Sequence, residues 1–250
     1  MAQVDFTEHW IFKRISRYGN LTRKEEALLS ELVSNPRRVD AGEIIWHEDA
    51  AADQFCILKQ GWAYSFRSLD NGARQILKIY LPGDVIGMRD FGFAQRLAGV
   101  VMIVDGVICP FSYPQMFEVF RSSPTLATGL CAIAVRQQAM LTERLINLGR
   151  RTAQERVAHF LYETFLRLQR IDAVDNGRFH LPLSQEQLGD ALGLSTVHVS
   201  RTFSMLRDEG LAIRDRYDVE VLDPDGLAAL AQYDDRYLEE ALPAPLFGVG

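Results

Sequence analysis

A stripe of small and polar side chains runs through residues 196–204. Val197, Ser200, Arg201 and Ser204 recur at a spacing that places them on one face of a helix. An arginine on such a face can donate two hydrogen bonds to guanine, and a serine can bond a base or a phosphate. A valine can contact the methyl group of thymine. This is the chemistry of DNA base recognition.

Two predicted helices joined by a tight turn position this stripe. Ser184, with Gln187 three residues later, predicts a capping box that begins the first helix. Gly193 predicts the turn, and Ser195 predicts the cap of the second helix. The residues predicted to face inward on the second helix are Val199, Phe203 and Leu206. A helix-turn-helix places the N-terminal part of its second helix against base edges in the major groove.

An alternating segment at 211–222 follows Gly210 and predicts a two-stranded wing. Arg214 and Arg216 are predicted to lie at its tip, where arginines suit phosphate contacts. The full set of predicted DNA-contacting residues is Ser184, Ser195, Thr196, Val197, His198, Ser200, Arg201, Ser204, Arg214 and Arg216.

The net charge of −6 is distributed unevenly along the 250 residues. Residues 218–250 carry eight acidic residues and one arginine, whereas residues 149–217 carry ten arginines and nine acidic residues. The acidity of the whole chain therefore does not exclude a DNA-binding face. Because residues 149–217 are only weakly basic, two copies acting together on DNA are favoured over one.

The N-terminal half has a different pattern. Apolar residues at helical spacing extend to about residue 39, and Thr22 with Glu25 predicts a capping box. Short apolar or alternating runs between turn residues then predict an antiparallel barrel or roll. The predicted fold class is α+β, with an N-terminal antiparallel β-roll, flanking helices, a long dimerisation helix and a C-terminal winged helix-turn-helix.

The segment Thr125–Leu148 predicts a long helix that is apolar on two adjacent stripes. One stripe can cover the roll and the other can meet a partner helix. The residues assigned to the dimer helix are Leu126, Leu130, Ile133, Gln137, Met140, Leu141, Arg144 and Leu148. Gly149 predicts a hinge. The predicted domains are the helices and sensor roll (1–123), the dimerisation helix (124–148), the winged helix-turn-helix (149–222) and an acidic tail (223–250).

Two motif sets resemble the CRP/FNR family of bacterial transcription regulators, from about Leu21 to Leu222. In the roll these are the segments 41–45, Gly61 and 82–87; in the C-terminal half they are 183–195 and 199–201. The resemblance implies a homodimer, a roll that senses a signal, a palindromic promoter site on double-stranded DNA, and regulation of transcription by RNA polymerase.

The sequence departs from the family at the effector site. Cyclic-AMP-binding members carry a glutamate for the ribose and an Arg-Ser or Arg-Thr pair for the phosphate. Here Met88 replaces the glutamate, and either Ala98-Gly99 or, with a short gap, Arg96-Leu97 stands at the pair. Control by a cyclic nucleotide is therefore not expected. The candidate ligand-binding residues are Gly87, Met88, Arg89, Arg96, Leu97, Ala98 and Gly99, where Arg89 and Arg96 either serve another anion or are solvated.

Other cofactors are not predicted. No cysteine precedes Cys56, which argues against an N-terminal iron–sulfur cluster. His47 is interpreted as an ordinary strand residue rather than a haem ligand. Cys131 is interpreted as a buried apolar residue, with an oxidation sensor as the alternative. The sequence predicts no metal site and no cofactor, and it does not identify an effector.

The recognition helix also departs from the family. Typical members carry a glutamate that accepts from cytosine near the start of this helix, where Val197 stands here. The usual half-site is therefore not expected. His198 is predicted to face the first helix or the backbone, with a phosphate contact as the alternative.

Two other functions compete with DNA-dependent regulation. One is a small-molecule-binding sensor module whose DNA binding is weak or lost. The other is a cupin-like enzyme, which is disfavoured because the predicted strands hold only His47 as a candidate metal ligand. No apolar run is long enough to span a membrane, and the N-terminus lacks the pattern of a secretory signal, so a cytoplasmic protein is expected.

Overall fold

A computed structural model describes residues 10–239. Within that range the helices are α1 (Trp10–Ser16), α2 (Arg23–Leu32), α3 (Tyr113–Ser122), α4 (Pro124–Arg150), α5 (Ala153–Gln169), α6 (Gln185–Leu192), α7 (Thr196–Asp208) and α8 (Pro224–Ala231). The strands are β1 (Arg37–Val39), β2 (Ile44–Trp46), β3 (Gln54–Gln60), β4 (Ala63–Ser68), β5 (Arg74–Tyr80), β6 (Val85–Ile86), β7 (Gly99–Met102), β8 (Gly106–Ser112), β9 (Arg178–His180), β10 (Ala212–Asp215) and β11 (Asp218–Val221).

The described chain forms two compact units. The first contains residues 10–65, 79–139 and 237–239, and the second contains residues 66–78 and 140–236. The second unit thus groups residues 66–78, which span the end of β4 and the start of β5, and the end of α4 with the C-terminal elements. The predicted domains assign these segments to the sensor roll and to the dimerisation helix.

The β-roll consists of two four-stranded sheets with strand orders β1-β8-β3-β6 and β2-β7-β4-β5. The central pair β3 and β8 is antiparallel, with Phe55 opposite Phe111 and Ile57 opposite Cys109. Side chains alternate along β3, because successive residues of a strand point to opposite faces. The predicted α+β class with an N-terminal roll is confirmed.

This alternation divides the core of the first unit into two clusters. Phe55 and Ile57 pack with residues of α1 to α4, so these helices cover one face of the first sheet. Cys56 and Leu58 instead pack with Trp46 and other residues of both sheets. Burial of such side chains supplies most of the driving force for folding.

Glu25 links three of the covering helices. Thr22 and Glu25 form the predicted capping box of α2. The Ser123 hydroxyl donates to Glu25 Oε1 at 2.6 Å, and its oxygen accepts from the backbone N–H of Leu126 at 3.0 Å in the first turn of α4. One carboxylate therefore fixes the start of α2 and the junction of α3 with α4.

The sequence predicted a hinge at Gly149, but the structure has no break in the long helix α4 at this residue. The helix is continuous through Gly149 and ends at Arg150. The break comes two residues later, where Thr152 caps α5 through a capping box with Glu155. A glycine near a helix end is tolerated because the preceding turns are held by packing, so the glycine by itself does not decide where the helix stops.

The second unit contains a three-stranded sheet with order β10-β11-β9. It also contains a contact between α6 and the segment 66–78: Arg74 Nε donates to Asp190 Oδ2 at 2.9 Å, and Gln75 Nε2 donates to the backbone oxygen of Asp190 at 2.6 Å. The predicted acidic tail begins with helix α8, whose Leu227 and Ala231 are buried. Residues 240–250 of that tail lie outside the described residues.

Candidate DNA-binding surface

The turn between α6 and α7 requires two glycines. Ser184 caps α6 with its oxygen accepting from the N–H of Gln187, as predicted. Gly193 ends the helix with φ +63°, in the left-handed region that favours glycine. A Cβ on Gly189 would lie 2.5 Å from the backbone oxygen of Leu194, so only glycine allows this close approach.

Helix α7 begins at a capped turn. The Ser195 hydroxyl oxygen accepts from the backbone N–H of His198, and it lies 2.9 Å from Nδ1 of the same histidine. His198 is exposed and is held against the cap rather than against α6. The side chains that anchor α7 to the unit, Val199, Thr202, Phe203 and Leu206, are buried, and three of these were predicted.

The opposite face of α7 is open to solvent. Ser200, Arg201 and Ser204 are exposed, as is Thr196 at the leading end. Val197 is 56 % exposed even though it is apolar and β-branched, and such a residue has a low helix propensity. The structure thus places these five predicted residues on one surface, where their contact with DNA remains a prediction.

The wing differs from the prediction at Arg214. Its Nε donates to the backbone oxygen of Arg216 at 2.9 Å, and its Nη2 donates to the backbone oxygen of Leu183. The guanidinium lies 5.1 Å from the centre of the Phe203 ring, and burial lowers the pKa of Arg214. Arg214 therefore lies within the strand that precedes the wing tip, and it holds the wing to Leu183 and Phe203. Its predicted phosphate contact stays a prediction.

Arg216 does lie at the tip. It occupies the turn between β10 and β11 with φ +53° and is exposed. Between the wing and α7 lies a cleft of about 520 Å³. Its lining residues are Ser184, Gln185, Ser200, Phe203, Ser204, Arg207, Arg214, Arg216 and Tyr217. Hydroxyl, amide and guanidinium groups near the start of a helix suit a backbone phosphate.

Three residues of this cleft were not singled out in the sequence. Gln185, Arg207 and Tyr217 carry no spacing signal of their own, since their position depends on how the wing folds back. The position of Tyr217 in a two-residue turn between alternating strands was the available clue.

The candidate effector residues lie between β6 and β7, and they do not form an open arginine-lined site. Arg96 is 1 % exposed, with its guanidinium carbon 4.0 Å from the centre of the Trp46 ring. Arg96 Nη2 donates to the backbone oxygen of Gln54 at 2.5 Å. Gly87, Ala98 and Gly99 are buried, Met88 packs against the helix-covered core, and Leu97 and Arg89 are more exposed.

The two arginines of this loop turn to the same carboxylate. Asp90 Oδ2 lies 3.5 Å from Arg96 Nη1, and Asp90 Oδ1 lies 3.8 Å from Arg89 Nε. The backbone N–H of Leu97 donates to Asp90 Oδ1 at 3.3 Å. Neither predicted alternative therefore describes Arg96, which is not solvated and already faces an anion of the chain itself.

The residues assigned to the dimer helix require a correction. Leu126, Leu130 and Ile133 are buried in the core of their own unit. Gln137 donates to the backbone oxygen of Val85 at 3.2 Å, and Arg144 donates to that of Leu77 at 2.7 Å. Leu126, Leu130 and Ile133 therefore face the protomer's own core and not a partner helix. The other assigned residues are partly exposed, or exposed in the case of Leu141, and their contact with a partner stays a prediction.

A different face of α4 is open. We call it the α4 seam, and its residues are Cys131, Val135, Gln138, Thr142 and Leu145. They alternate at spacings of four and three residues, the pattern of a helix that packs along a second helix. Val135 and Leu145 are 63 % and 65 % exposed. The sequence indicated two adjacent apolar stripes on this helix, and the stripe that contains Leu126, Leu130 and Ile133 covers the protomer's own core.

The cysteines and His47 show no sign of a cofactor site in the described residues. Burial raises the pKa of the Cys56 thiol to about 12 and that of Cys109 to about 11, so neither is a reactive thiolate. Cys131 is exposed, contrary to its interpretation as a buried residue. His47 is exposed just after β2. Among residues 10–239, no group of three or more metal-ligating side chains is suited to hold an ion. No described helix has the length and apolarity to span a membrane.

Comparisons with known proteins agree with this architecture. Residues 36–123 match the family described as cyclic nucleotide-binding domain, and residues 155–230 match the Crp-like helix-turn-helix domain. The chain is 33 % identical over 193 residues to the transcriptional activatory protein AadR of Rhodopseudomonas palustris, covering 76 % of this chain and 78 % of that protein. It is 30 % identical over 209 residues to the nitrogen fixation regulation protein FixK of Bradyrhizobium diazoefficiens, covering 83 % and 87 %.

A solved structure gives the same assignment. FixK2 from Bradyrhizobium japonicum superposes with a TM-score of 0.71 at 27 % identity, covering 78 % of this chain and 96 % of that chain. The roll, the long helix and the winged helix-turn-helix therefore occur in the same order as in these regulators. The chain belongs to the CRP/FNR family of bacterial transcription regulators and is a DNA-binding member of it.

Proposed function

We propose that this regulator binds an inverted-repeat promoter site as a homodimer and acts on transcription by RNA polymerase in the cytoplasm. The observation that carries the proposal is the exposed face of α7, which presents Arg201 and Ser200. Ser200 also lines the cleft at the wing. An arginine and a serine on that face can read base edges, while the cleft receives a phosphate. Since relatives are named as activators, we propose activation as the direction of control.

The homodimer is supported by the α4 seam. An exposed stripe with a four–three spacing would be covered when two copies of α4 pack in parallel about a two-fold axis. Two recognition helices related in this way read half-sites about 34 Å apart. The weak positive balance of residues 149–217 fits this requirement for two copies.

Val197 shapes the sequence that is read. It stands where the family carries a glutamate that accepts from cytosine, and it presents only methyl groups to a base pair. A methyl contact with thymine replaces that hydrogen bond. We therefore propose that the half-site differs from the family's usual one at this position.

The test is selection of bound fragments from sheared genomic DNA, followed by affinity measurement on the enriched site. Arg201→Ala should weaken specific binding by about 1–3 kcal/mol. Arg121→Ala is the matched control, because Arg121 is exposed on α3 and pairs with Glu118. Equal affinity of Arg201→Ala and the wild type would exclude Arg201 as a base reader, and failure to enrich any fragment would favour a sensor module that has lost DNA binding.

A further inference from the structure

We propose that the carboxylate of Asp90 is a built-in anion that occupies the phosphate position of the β-roll, so that the roll holds its own ligand and does not bind a cyclic nucleotide. The proposal concerns the roll alone and does not depend on the proposed DNA contacts.

Arg96 is buried inside the roll. A guanidinium that is 1 % exposed has lost its hydration and needs compensating charge nearby. Asp90, itself 4 % exposed, supplies a carboxylate oxygen 3.5 Å from Nη1. The face of the Trp46 ring adds a cation–π contact at 4.0 Å. Arg96 is thus enclosed by an aromatic face, a backbone carbonyl and one carboxylate. Its Nε and Nη1 make no hydrogen bond with any described residue, so Asp90 compensates the guanidinium by charge and not by a hydrogen bond.

Hydrogen-bond donors and positive charge surround Asp90. Arg96 and Leu97 stand at the family's Arg-Ser or Arg-Thr phosphate pair in the gapped alignment. Two groups of this pair face Asp90 in the present chain. Arg96 Nη1 forms an ion pair with Oδ2 at 3.5 Å, and the backbone N–H of Leu97 donates to Oδ1 at 3.3 Å. Leu97 has no hydroxyl group of the kind that the family's serine or threonine offers to a phosphate, but its backbone N–H is still a hydrogen-bond donor. An anion is thus recognised here, and that anion is attached to the chain.

The residues near the position of the ribose also differ from those of cyclic-nucleotide-binding members. Met88, which replaces the ribose-binding glutamate, packs against the apolar core under the helices. Gly87 has no Cβ, and an added Cβ would lie 3.1 Å from Arg96 Nη1, so this glycine admits the guanidinium. The residues present do not fit a cyclic nucleotide, because its phosphate would have to displace Asp90 and its ribose hydroxyl would find no carboxylate acceptor at Met88.

A ligand that is part of the chain is always present at high local concentration. The roll therefore stays in its anion-bound arrangement without any soluble effector. Arg89, whose Nε lies 3.8 Å from the same carboxylate, belongs to this arrangement and is not a second anion site.

The experiment is chemical rescue in the full-length protein. Asp90→Ala removes the carboxylate and leaves a space beside Arg96, whereas Asp90→Asn removes the charge and keeps the space filled. Thermal unfolding is followed in increasing sodium formate, with sodium chloride at equal ionic strength as the reference. We expect a lowered Tm for Asp90→Ala that formate raises more than chloride does, and no formate-specific shift for the wild type or Asp90→Asn.

Two further measurements decide the remaining cases. Cyclic AMP should leave the Tm and the tryptophan fluorescence of the wild type unchanged, and a saturable shift would overturn the proposal. The double variant Asp90→Asn/Arg96→Met should be more stable than Asp90→Asn alone, because it no longer buries an uncompensated guanidinium. If the double variant is no more stable, or if folded Asp90→Ala is as stable as the wild type and ignores formate, Asp90 is not the anion that Arg96 requires.

Discussion

Ser123 Oγ lies 2.6 Å from Glu25 Oε1, and this hydrogen bond joins the N-terminus of α4 to the capping box of α2. Burial alone would raise the pKa of Glu25, but the hydrogen bonds from Ser123 and Thr22 prevail and lower it to about 2. The carboxylate form is therefore the one that stabilises the folded chain.

Glu25→Gln should lower the free energy of unfolding by about 1–2 kcal/mol at pH 7, because a charged acceptor is lost. The folded pKa is below the unfolded one, so this stability is fully present above about pH 4.5 and is lost as the pH falls toward 2. Urea unfolding of both proteins at pH 7 and pH 4 checks this. The difference should shrink at the lower pH, and Glu31→Gln, an exposed change on the same helix, should show no such difference.

His159 gives the second unit its own dependence on pH. Burial lowers the pKa of this histidine to about 4, with the positive charge of Arg151 acting in the same direction and Glu143, 3.6 Å away, acting against it. The unfolded chain takes up a proton near pH 6.5, whereas the folded chain does not. The free energy of unfolding should therefore fall as the pH falls from about 6.5 toward 4, by at most about 1.4 kcal/mol per pH unit.

Replacing His159 with glutamine should flatten this slope. His180→Gln is the matched control, since His180 is exposed and lies 3.0 Å from Asp218. Denaturant unfolding between pH 5 and pH 7 measures both slopes. A slope that survives in His159→Gln would assign the proton uptake to another group.

The α4 seam predicts the association state. Val135→Asp and Leu145→Asp should each convert the dimer to monomers, because a carboxylate at a helix–helix contact is desolvated without a partner. Sedimentation velocity measures the change. Phe117→Asp on α3 is the control, as Phe117 is 58 % exposed but lies off the seam.

Cys131 provides an independent check on the same surface. Because it is the exposed cysteine among residues 10–239 and a member of the seam, two copies should bring its thiols within disulfide range. Copper–phenanthroline, acting as the oxidant, should give a covalent dimer on a non-reducing gel, and Cys131→Ser should not form it. A wild-type protein that stays monomeric by sedimentation would contradict the seam.

The proposed contact between Val197 and the C5 methyl group of a thymine can be tested by changing the base. Replacing each thymine of the selected site by uracil removes only the C5 methyl group. At one position per half-site the wild type should lose about 1 kcal/mol, the value expected for one buried methyl group. Val197→Ala should bind the thymine and uracil sites equally. A wild-type protein insensitive to uracil at every position would exclude the contact.

The sequence predicted the fold more fully than the site. Capping boxes and inward spacing located α2, α6 and α7 because these signals are local, and Ser195, Val199 and Leu206 lie where the pattern placed them. Which face of a helix becomes buried depends on how the helix packs with the rest of the folded unit. Spacing therefore could not show which stripe of α4 covers the core, so Leu126 and Ile133 were assigned to a partner.

The sequence also could not predict the surroundings of two arginines, the buried Arg96 and the partly buried Arg214. Arg214 and Arg96 were expected at exposed or ligand-facing positions, because arginine is rarely buried without a partner. Both are engaged by groups distant in sequence: Leu183 and Phe203 for Arg214, and Trp46 and Gln54 for Arg96. Such partners follow from tertiary packing, which one sequence does not reveal.

The membership of residues 66–78 and 140–148 in the second unit has a consequence for dissecting and recombining this protein. A fragment cut at Gly149, where the sequence suggests a junction, would remove Arg74 and Gln75 from Asp190 and Glu143 from His159. Chimeras that exchange the DNA-binding part with a relative should carry the hairpin 66–78 and the last turns of α4 across with it.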